Sequence, residues 1–410
     1  MIIQPRTPRL VIIEMKNLTT DGHFYTQIPA LQSLFPDYET HLVTNQNYDG
    51  WLGAATALVM RRELRNARYH FDLQYAKIPR RLQAILKLIA RRKLFSRQKT
   101  AYAMHLMKIH SELNLCASDL VIVPTANFID ICSLIRFAKY LSDDAPKLVL
   151  RILDPKVGIN SEQVKKRFVN AVCDQLPRQI KLFTETEEMA AHINKRCFLE
   201  VEGGFYMPGA VSRVKIDALS SPSDDKIRIG VFGSPRAEKG SHLIVPIIRE
   251  LVKRVGADSK CKIEFLIQGA ESDFCKGGPF EEIDFVLEGQ NQVTYRHLPI
   301  SMNTEKYEAM FGRAQIILLP YDKDVYDLRG SGVVQDALMS KQAIVYSKGM
   351  AMQRFLSFGN AFSATSASEF ADAIQNVINS PEEIRHATET ALVSYTEHIK
   401  NHPLVMFMKS

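Results

Sequence analysis

The chain has 410 residues, 46% hydrophobic and 24% charged, more than one ordinary core accommodates and suited to two domains of about 200 residues each. No run of about 18 uncharged apolar residues occurs, which excludes a helical membrane span, and Met1 to Leu10 lacks the apolar stretch and cleavage site of a secretory signal. Six scattered cysteines leave no Cys-x-x-Cys spacing and no disulfide framework, so a reducing cytoplasm is the expected compartment.

The net charge of +7 is unevenly placed: residues 61–108 hold 14 Lys and Arg against only Glu63 and Asp72, whereas the remainder has 38 basic and 43 acidic residues.

In chain order, Leu10–Glu14 reads as a buried strand, followed by a polar turn at 17–22 and a helix over 23–34. His41–Thr44 is a second strand. Beyond the basic segment come a strand at 119–124, a helix near 129–141, strands at 147–153 and 181–184, and a helix at 187–194. The polar stretch Ser220 to Asp225 reads as a linker. The alternation then restarts: strand 227–232, helix 239–255, strand 262–267, strand 292–298, helix 305–311, strand 315–320, helix 332–339 and strand 342–347. The last third reads as largely helical, with 368–379 and 381–399. Short apolar runs alternating with helices predict parallel sheets covered on both faces. The expected division is an N-terminal Rossmann-like domain over 1–219, a linker over 220–226, a second Rossmann-like domain over 227–380, and a helix over 381–410 packing back toward the first domain. A cleft between two such doubly wound sheets places ligands beyond the carboxyl ends of the strands.

Two strand-to-helix turns of the second half carry the chemistry. The first runs from Gly233 to Gly240, where Ser234, Arg236 and Lys239 combine backbone access, a helix start and two cations, a setting for an anion. The second is Arg329-Gly330-Ser331-Gly332, again glycines, a hydroxyl and an arginine before a helix. Asp336 lies five residues after Ser331, within reach of sugar hydroxyls. Either turn alone also suits an ordinary loop with solvated charges; two at the ends of neighbouring strands make the stronger pattern.

The run Gly-x-x-Arg-x-Glu-Lys-Gly, then Leu318-Leu319-Pro320-Tyr321-Asp322, then Arg329-Gly-Ser-Gly-Val-x-x-Asp-Ala-Leu338 resembles the donor domain of retaining glycosyltransferases of the GT-B fold, family 4 (group 1) in particular. The resemblance is specific over about 227–370 and faint in the first half, where Phe183-Thr184-Glu185-Thr186 carries it. It implies that Lys239 grips the donor diphosphate and Asp336 the ribose. The sequence departs from the family at Ser234, where arginine usually follows the first glycine, and at Leu328, which replaces the first of two paired acids. It departs again at Lys341-Gln342-Ala343, in place of Gly-x-Pro. Tyr326 and Arg329 stand beside Leu328 as substitutes.

The implied reaction is transfer of a sugar from a nucleotide sugar, UDP- or GDP-linked, to a saccharide or lipid-linked acceptor. Lys239, Arg236 and Arg329 would stabilise the leaving diphosphate without a metal or other cofactor. In the first half, His23 at the first strand-to-helix turn, Asn127 and Asp154 occupy strand ends where an acceptor would meet them, although His23 equally suits a helix start in solvent. Asp322 reads as a cap, and Gly204-Phe205-Tyr206 as packing. Two alternatives stay open: a degenerate relative that binds nucleotide sugar or membrane without turnover, and a sugar-nucleotide epimerase.

Within 80–99, Leu82, Ile85, Leu86 and Ile89 follow helical spacing while Arg80, Arg81, Lys87, Arg91 and Arg92 fall opposite or flanking. This predicts an amphipathic helix lying on the anionic inner face of the membrane, as in polysaccharide assembly, although a core helix with a solvated basic face fits the same spacing; no nucleic-acid reading motif is present.

Overall fold

The computed structural model describes residues 6–14, 23–44, 55–57, 102–141, 144–155, 176, 178–197, 200–207, 226–255 and 261–409. The membrane-facing segment expected at 80–99 lies outside the described residues, as does the linker except Lys226. The chain forms two units, one of residues 1–205 with 403–410 and the other of 206–402.

In the first unit, β1 (Arg9–Glu14), β2 (Glu39–Thr44), β3 (Ala55–Ala57), β4 (Leu120–Ala126), β5 (Lys147–Ile152) and β6 (Ile180–Thr184) pair in the order β3-β2-β1-β4-β5-β6. All pairings are parallel; Leu10, Val11 and Ile12 lie opposite Leu120, Val121 and Ile122. The inner strands are continuous apolar runs because both faces are covered: Leu10, Ile12, Leu120, Ile122, Leu148 and Val149 are all completely buried. Residues 102–113 are helical, and helices span His23–Leu34, Phe128–Ala138 and Glu187–Cys197.

The second unit repeats this order. Its strands β7 (Lys226–Val231), β8 (Lys262–Gly269), β9 (Val293–Pro299), β10 (Ile316–Leu319), β11 (Ala343–Ser347) and β12 (Ala361–Ala364) lie as β12-β11-β10-β7-β8-β9. Both sheets therefore have the doubly wound 3-2-1-4-5-6 pattern, whose order reverses beside the first strand. Period-two alternation sorts the side chains: Ile317 and Leu319 enter one core with Phe232, Phe311 and Phe355, while Ile316 and Leu318 enter the other with Ile244, Ile248 and Phe370.

Two expectations change. The first helix of this unit begins at Ser241, not Lys239, because Ala237–Lys239 forms a separate 3-10 turn and Gly240 adopts φ 65°. A side chain is impossible at Gly240: its β-carbon would sit 1.7 Å from the Pro320 carbonyl oxygen. The helices expected at 368–379 and 381–399 are present, and the strand Ala361–Ala364, too short to show a period and not expected, pairs along β11. The helix Pro381–Lys400 lies wholly in the second unit, whereas Pro403–Lys409 belongs to the first, where Lys147 Nζ donates to the Phe407 and Met408 carbonyls at 2.8 and 3.2 Å.

Candidate anion-binding site of the second unit

The sheet order reverses between β7 and β10, which pair at Ile229–Ile316 and Gly230–Ile317. The two glycine-rich turns therefore leave the carboxyl ends of adjacent strands. The loop that leaves β10 is bonded to the first turn, since the Asp322 N–H donates to the Glu238 carbonyl at 3.0 Å. A small pocket opens at the first turn, lined by Gly233, Ser234, Pro235, Lys239, Gln268 and Tyr321 among others.

Lys239 is the central cation. Its ammonium lies 5.9 Å from the centre of the Tyr321 ring, and a β-carbon at Gly233 would fall 2.3 Å from Nζ. Gly233 has φ 94°, so the turn needs glycine for its backbone as well as for this space. Among the described residues no carboxylate lies within ion-pair distance of Nζ. Burial, with a smaller push from Arg236 and an opposing pull from Glu238, brings its pKa down to about 8.

Arg236 pairs with Glu238 at 3.2 Å, both side chains largely in solvent. Arg329 is exposed, and among the described residues its guanidinium has no hydrogen-bond or ion-pair partner. The two turns converge electrostatically on Tyr326. Burial raises its phenol, and Arg236 and Arg329 pull it back while Glu238 raises it further. Tyr326 packs on Tyr321, which lines the pocket, with ring centres 4.4 Å apart. Burial likewise raises the Tyr321 phenol.

Ser331 caps the helix Gly332–Met339 in extended conformation. A β-carbon at Gly332 would meet nothing within 4 Å, so the helix start faces open space. Asp336 is buried, and its Oδ2 accepts from the Tyr307 hydroxyl at 3.4 Å. Leu328 stands partly buried in the turn beside exposed Arg329 and partly buried Gly330. Asp322 caps the helical turn Lys323–Tyr326 by accepting from the Asp324 N–H, and Phe205 and Tyr206 are completely buried, as read from their residue types.

The first unit's candidates are more dispersed. Asn127 is exposed at the start of the helix Phe128–Ala138, and its N–H donates to Asp130 Oδ2 at 2.7 Å, a cap arrangement. Asp154 follows β5 by two residues and is partly buried; the side chain of His23 lies outside the described residues. Sequence reasoning missed a buried polar chain at this sheet's carboxyl edge. Thr125 donates to Glu14 at 2.5 Å, Gln27 links Glu14 to Arg151 at 3.4 and 3.5 Å, and Arg151 pairs with Glu185 at 3.0 Å. Arg151 also donates to the Phe205 carbonyl at 3.1 Å. A lone arginine inside an apolar strand was the available signal. Gln268 and Met352, which hold the two turns of the second unit, were missed as well.

No family model and no curated protein matches the sequence. Solved structures match nearly all of it. The chain is similar to the sucrose-phosphate synthase of Thermosynechococcus elongatus, with 11% identity, TM-score 0.59, and coverage of 98% of this chain and 97% of that one. It is equally similar to an alpha,alpha-trehalose-phosphate synthase (UDP-forming) of Burkholderia xenovorans in complex with glucose-6-phosphate, with 13% identity, TM-score 0.59, and coverage of 98% and 100%. A third match is the E. coli trehalose-6-phosphate structure bound with UDP-2-fluoro glucose, with 10% identity, TM-score 0.58, and coverage of 98% and 97%. At these identities the likeness establishes the fold, which is GT-B.

Proposed function

We propose that the chain is a glycosyltransferase that takes a sugar from a nucleoside diphosphate donor held by the second unit. The observation that carries this reading is the Lys239 ammonium, partly buried beside the Gly233 turn with no carboxylate at ion-pair distance among the described residues, at the switch point of a doubly wound sheet. A buried unpaired cation is costly unless an anion joins it, and a diphosphate supplies one. The matched structures include a UDP-forming synthase and one bound with a UDP-sugar analogue, which favours the same ligand class.

Glycosyl transfer passes through an oxocarbenium-like state while the diphosphate leaves and gathers negative charge. Lys239, Arg236, Arg329 and the helix starts at Ser241 and Gly332 bring positive charge to that leaving group, which lowers the barrier without a metal. Asp336, oriented by Tyr307, is the proposed ribose contact, and the transfer is proposed to retain the anomeric configuration. A thermal-shift panel of nucleotide sugars and free nucleotides tests the donor site. A ligand at 100 times its dissociation constant adds about 2.7 kcal/mol of stability, and no shift with any nucleotide would overturn the reading.

The acceptor is proposed to be a saccharide or lipid-linked saccharide, meeting His23, Asn127 and Asp154, with residues 80–99 holding the protein on the anionic inner face of the membrane. Flotation should show binding to anionic but not neutral liposomes. Changing Arg80, Arg81, Lys87, Arg91 and Arg92 to Gln should abolish it; equal binding to both liposome types would refute the membrane role.

Leu328, standing where the resembling family has an acid, favours a second reading, a protein that binds nucleotide sugar without turnover. Product formed from a labelled donor separates the two.

A further inference from the structure

In each of the two turns one backbone donor is taken by a side chain from the next strand outward or the loop after it. The Gly233 N–H donates to Gln268 Oε1 at 2.7 Å, Gln268 being the penultimate residue of β8, which neighbours β7. The Ser331 N–H donates to Met352 Sδ at 3.2 Å, Met352 lying in the loop after β11, which neighbours β10. Neither acceptor continues the backbone pattern, so each is a separate device.

The chemistry of Gln268 allows one orientation. Its oxygen meets an N–H, and its amide nitrogen donates to the carbonyls of Ile300 at 2.9 Å and Pro299 at 3.4 Å. One nearly buried side chain thus fixes three strand ends, those of β7, β8 and β9. Met352 is held at φ 70°, a left-handed conformation that a long side chain seldom adopts. Glycine would remove that strain, yet the position keeps a buried thioether aimed at Ser331. The same loop holds the other end of the turn, since the Ala351 N–H donates to the Tyr326 carbonyl at 2.8 Å. Tyr326 to Ser331, the stretch with Arg329, is therefore gripped at both ends by Ala351 and Met352.

We infer that Gln268 and Met352 are positioning residues that hold the two turns as preformed halves of one diphosphate site, an inference that rests on the donor reading above. With Gly233 and Ser331 tied back, the donors offered to a ligand include the N–H groups that open the two helical segments. Those of Ala237, Glu238, Gly332 and Val333 have no backbone acceptor among the described residues. Lys239 and Arg329 join them. A site whose donors are fixed before binding loses less affinity to reorganisation.

The test is calorimetric titration of the full chain with UDP, GDP and inorganic pyrophosphate, using wild type, Gln268→Leu, Met352→Leu and the double variant, with ligand-free melting temperatures as control. Each single variant should weaken the nucleoside diphosphate that the wild type binds, and pyrophosphate, by the same factor of roughly 10, the cost of one lost hydrogen bond. The double variant should compound to roughly 100, because the two sites share no partner. Met352→Leu should melt close to wild type, whereas Gln268→Leu, which leaves the Gly233 N–H without its acceptor, should melt lower, so titrations are run well below both transitions. In Gln268→Leu the pH at which binding fades should move upward, because a relaxed Gly233 turn returns Lys239 toward solvent; a purely structural role would leave that profile in place. If Gln268→Leu does not fold, Met352→Leu carries the test, as exchanging Met for Leu preserves volume. Variants that bind within twofold of wild type with unchanged pH profiles overturn the inference and leave the donor reading intact. A wild type that binds none of the three ligands overturns both.

Discussion

The two sheets have the same strand order and the same apolar strands, but their carboxyl edges treat a buried cation in opposite ways. In the first unit Arg151 is surrounded by acceptors: the Glu185 carboxylate, the Phe205 carbonyl and the Gln27 amide. Burial lowers its pKa, and Glu185 restores part of the shift. In the second unit Lys239 is partly buried beside the Tyr321 ring and Gly233, and among the described residues no carboxylate lies within ion-pair distance of it. The first arrangement is closed and stabilising; the second is incomplete until an anion arrives. Topology puts a ligand site at the end of a sheet, and the pairing of charge decides whether one is there.

This contrast predicts stability effects in one unit and ligand effects in the other. Arg151→Ala should cost the most, about 3 kcal/mol or more, because it removes the buried ion pair to Glu185 together with the bonds to Phe205 and Gln27. Chemical denaturation would show this as a lower midpoint, and an unchanged midpoint would mean the network contributes nothing. Lys239→Ala and Arg329→Ala should each reduce turnover of the nucleotide sugar about 100-fold or more while unfolding stays near wild type. Near-normal turnover in both would place the diphosphate elsewhere.

A smaller effect follows from the lysine's pKa of about 8. Nucleoside diphosphate affinity should be flat near pH 7 and fall as pH rises through 8, because only the protonated amine pairs with the ligand. Lys239→Arg should remove that fall, and a wild-type profile flat to pH 9 would show that the amine does not contact the anion. The linkage in the ligand-free protein has the opposite sign: above pH 8 the unfolded chain holds a proton the folded chain has released, so stability rises with pH until the ordinary lysine range. The smallest expected effect is none at all. EDTA should leave turnover unchanged, and a loss restored by magnesium or manganese would overturn the cation-only mechanism.

Much of the fold was readable because buried parallel strands are continuous apolar runs: Leu10–Glu14 and 315–320 stand out against their polar flanks. The donor turns were readable because glycine, lysine and arginine cluster there for reasons of backbone space and charge. What stayed hidden were groups defined only by tertiary neighbours. Gln268 looks like the polar end of a strand, Met352 like one more apolar residue, and Arg151 like an intrusion in an apolar run. The helix start was placed two residues early because Gly240 owes its conformation to the Pro320 carbonyl, a residue 80 positions away.

The helix Pro403–Lys409 bears on how the protein is made. Lys147 reaches its carbonyls across 260 residues of sequence, all of the second unit among them. On the ribosome, the first unit must therefore wait, lacking one of its packed helices, while the whole donor-binding unit is synthesised. Contacts this distant in sequence close slowly. The unit that is begun first is finished last, and a chaperone would meet its uncovered surface throughout that interval.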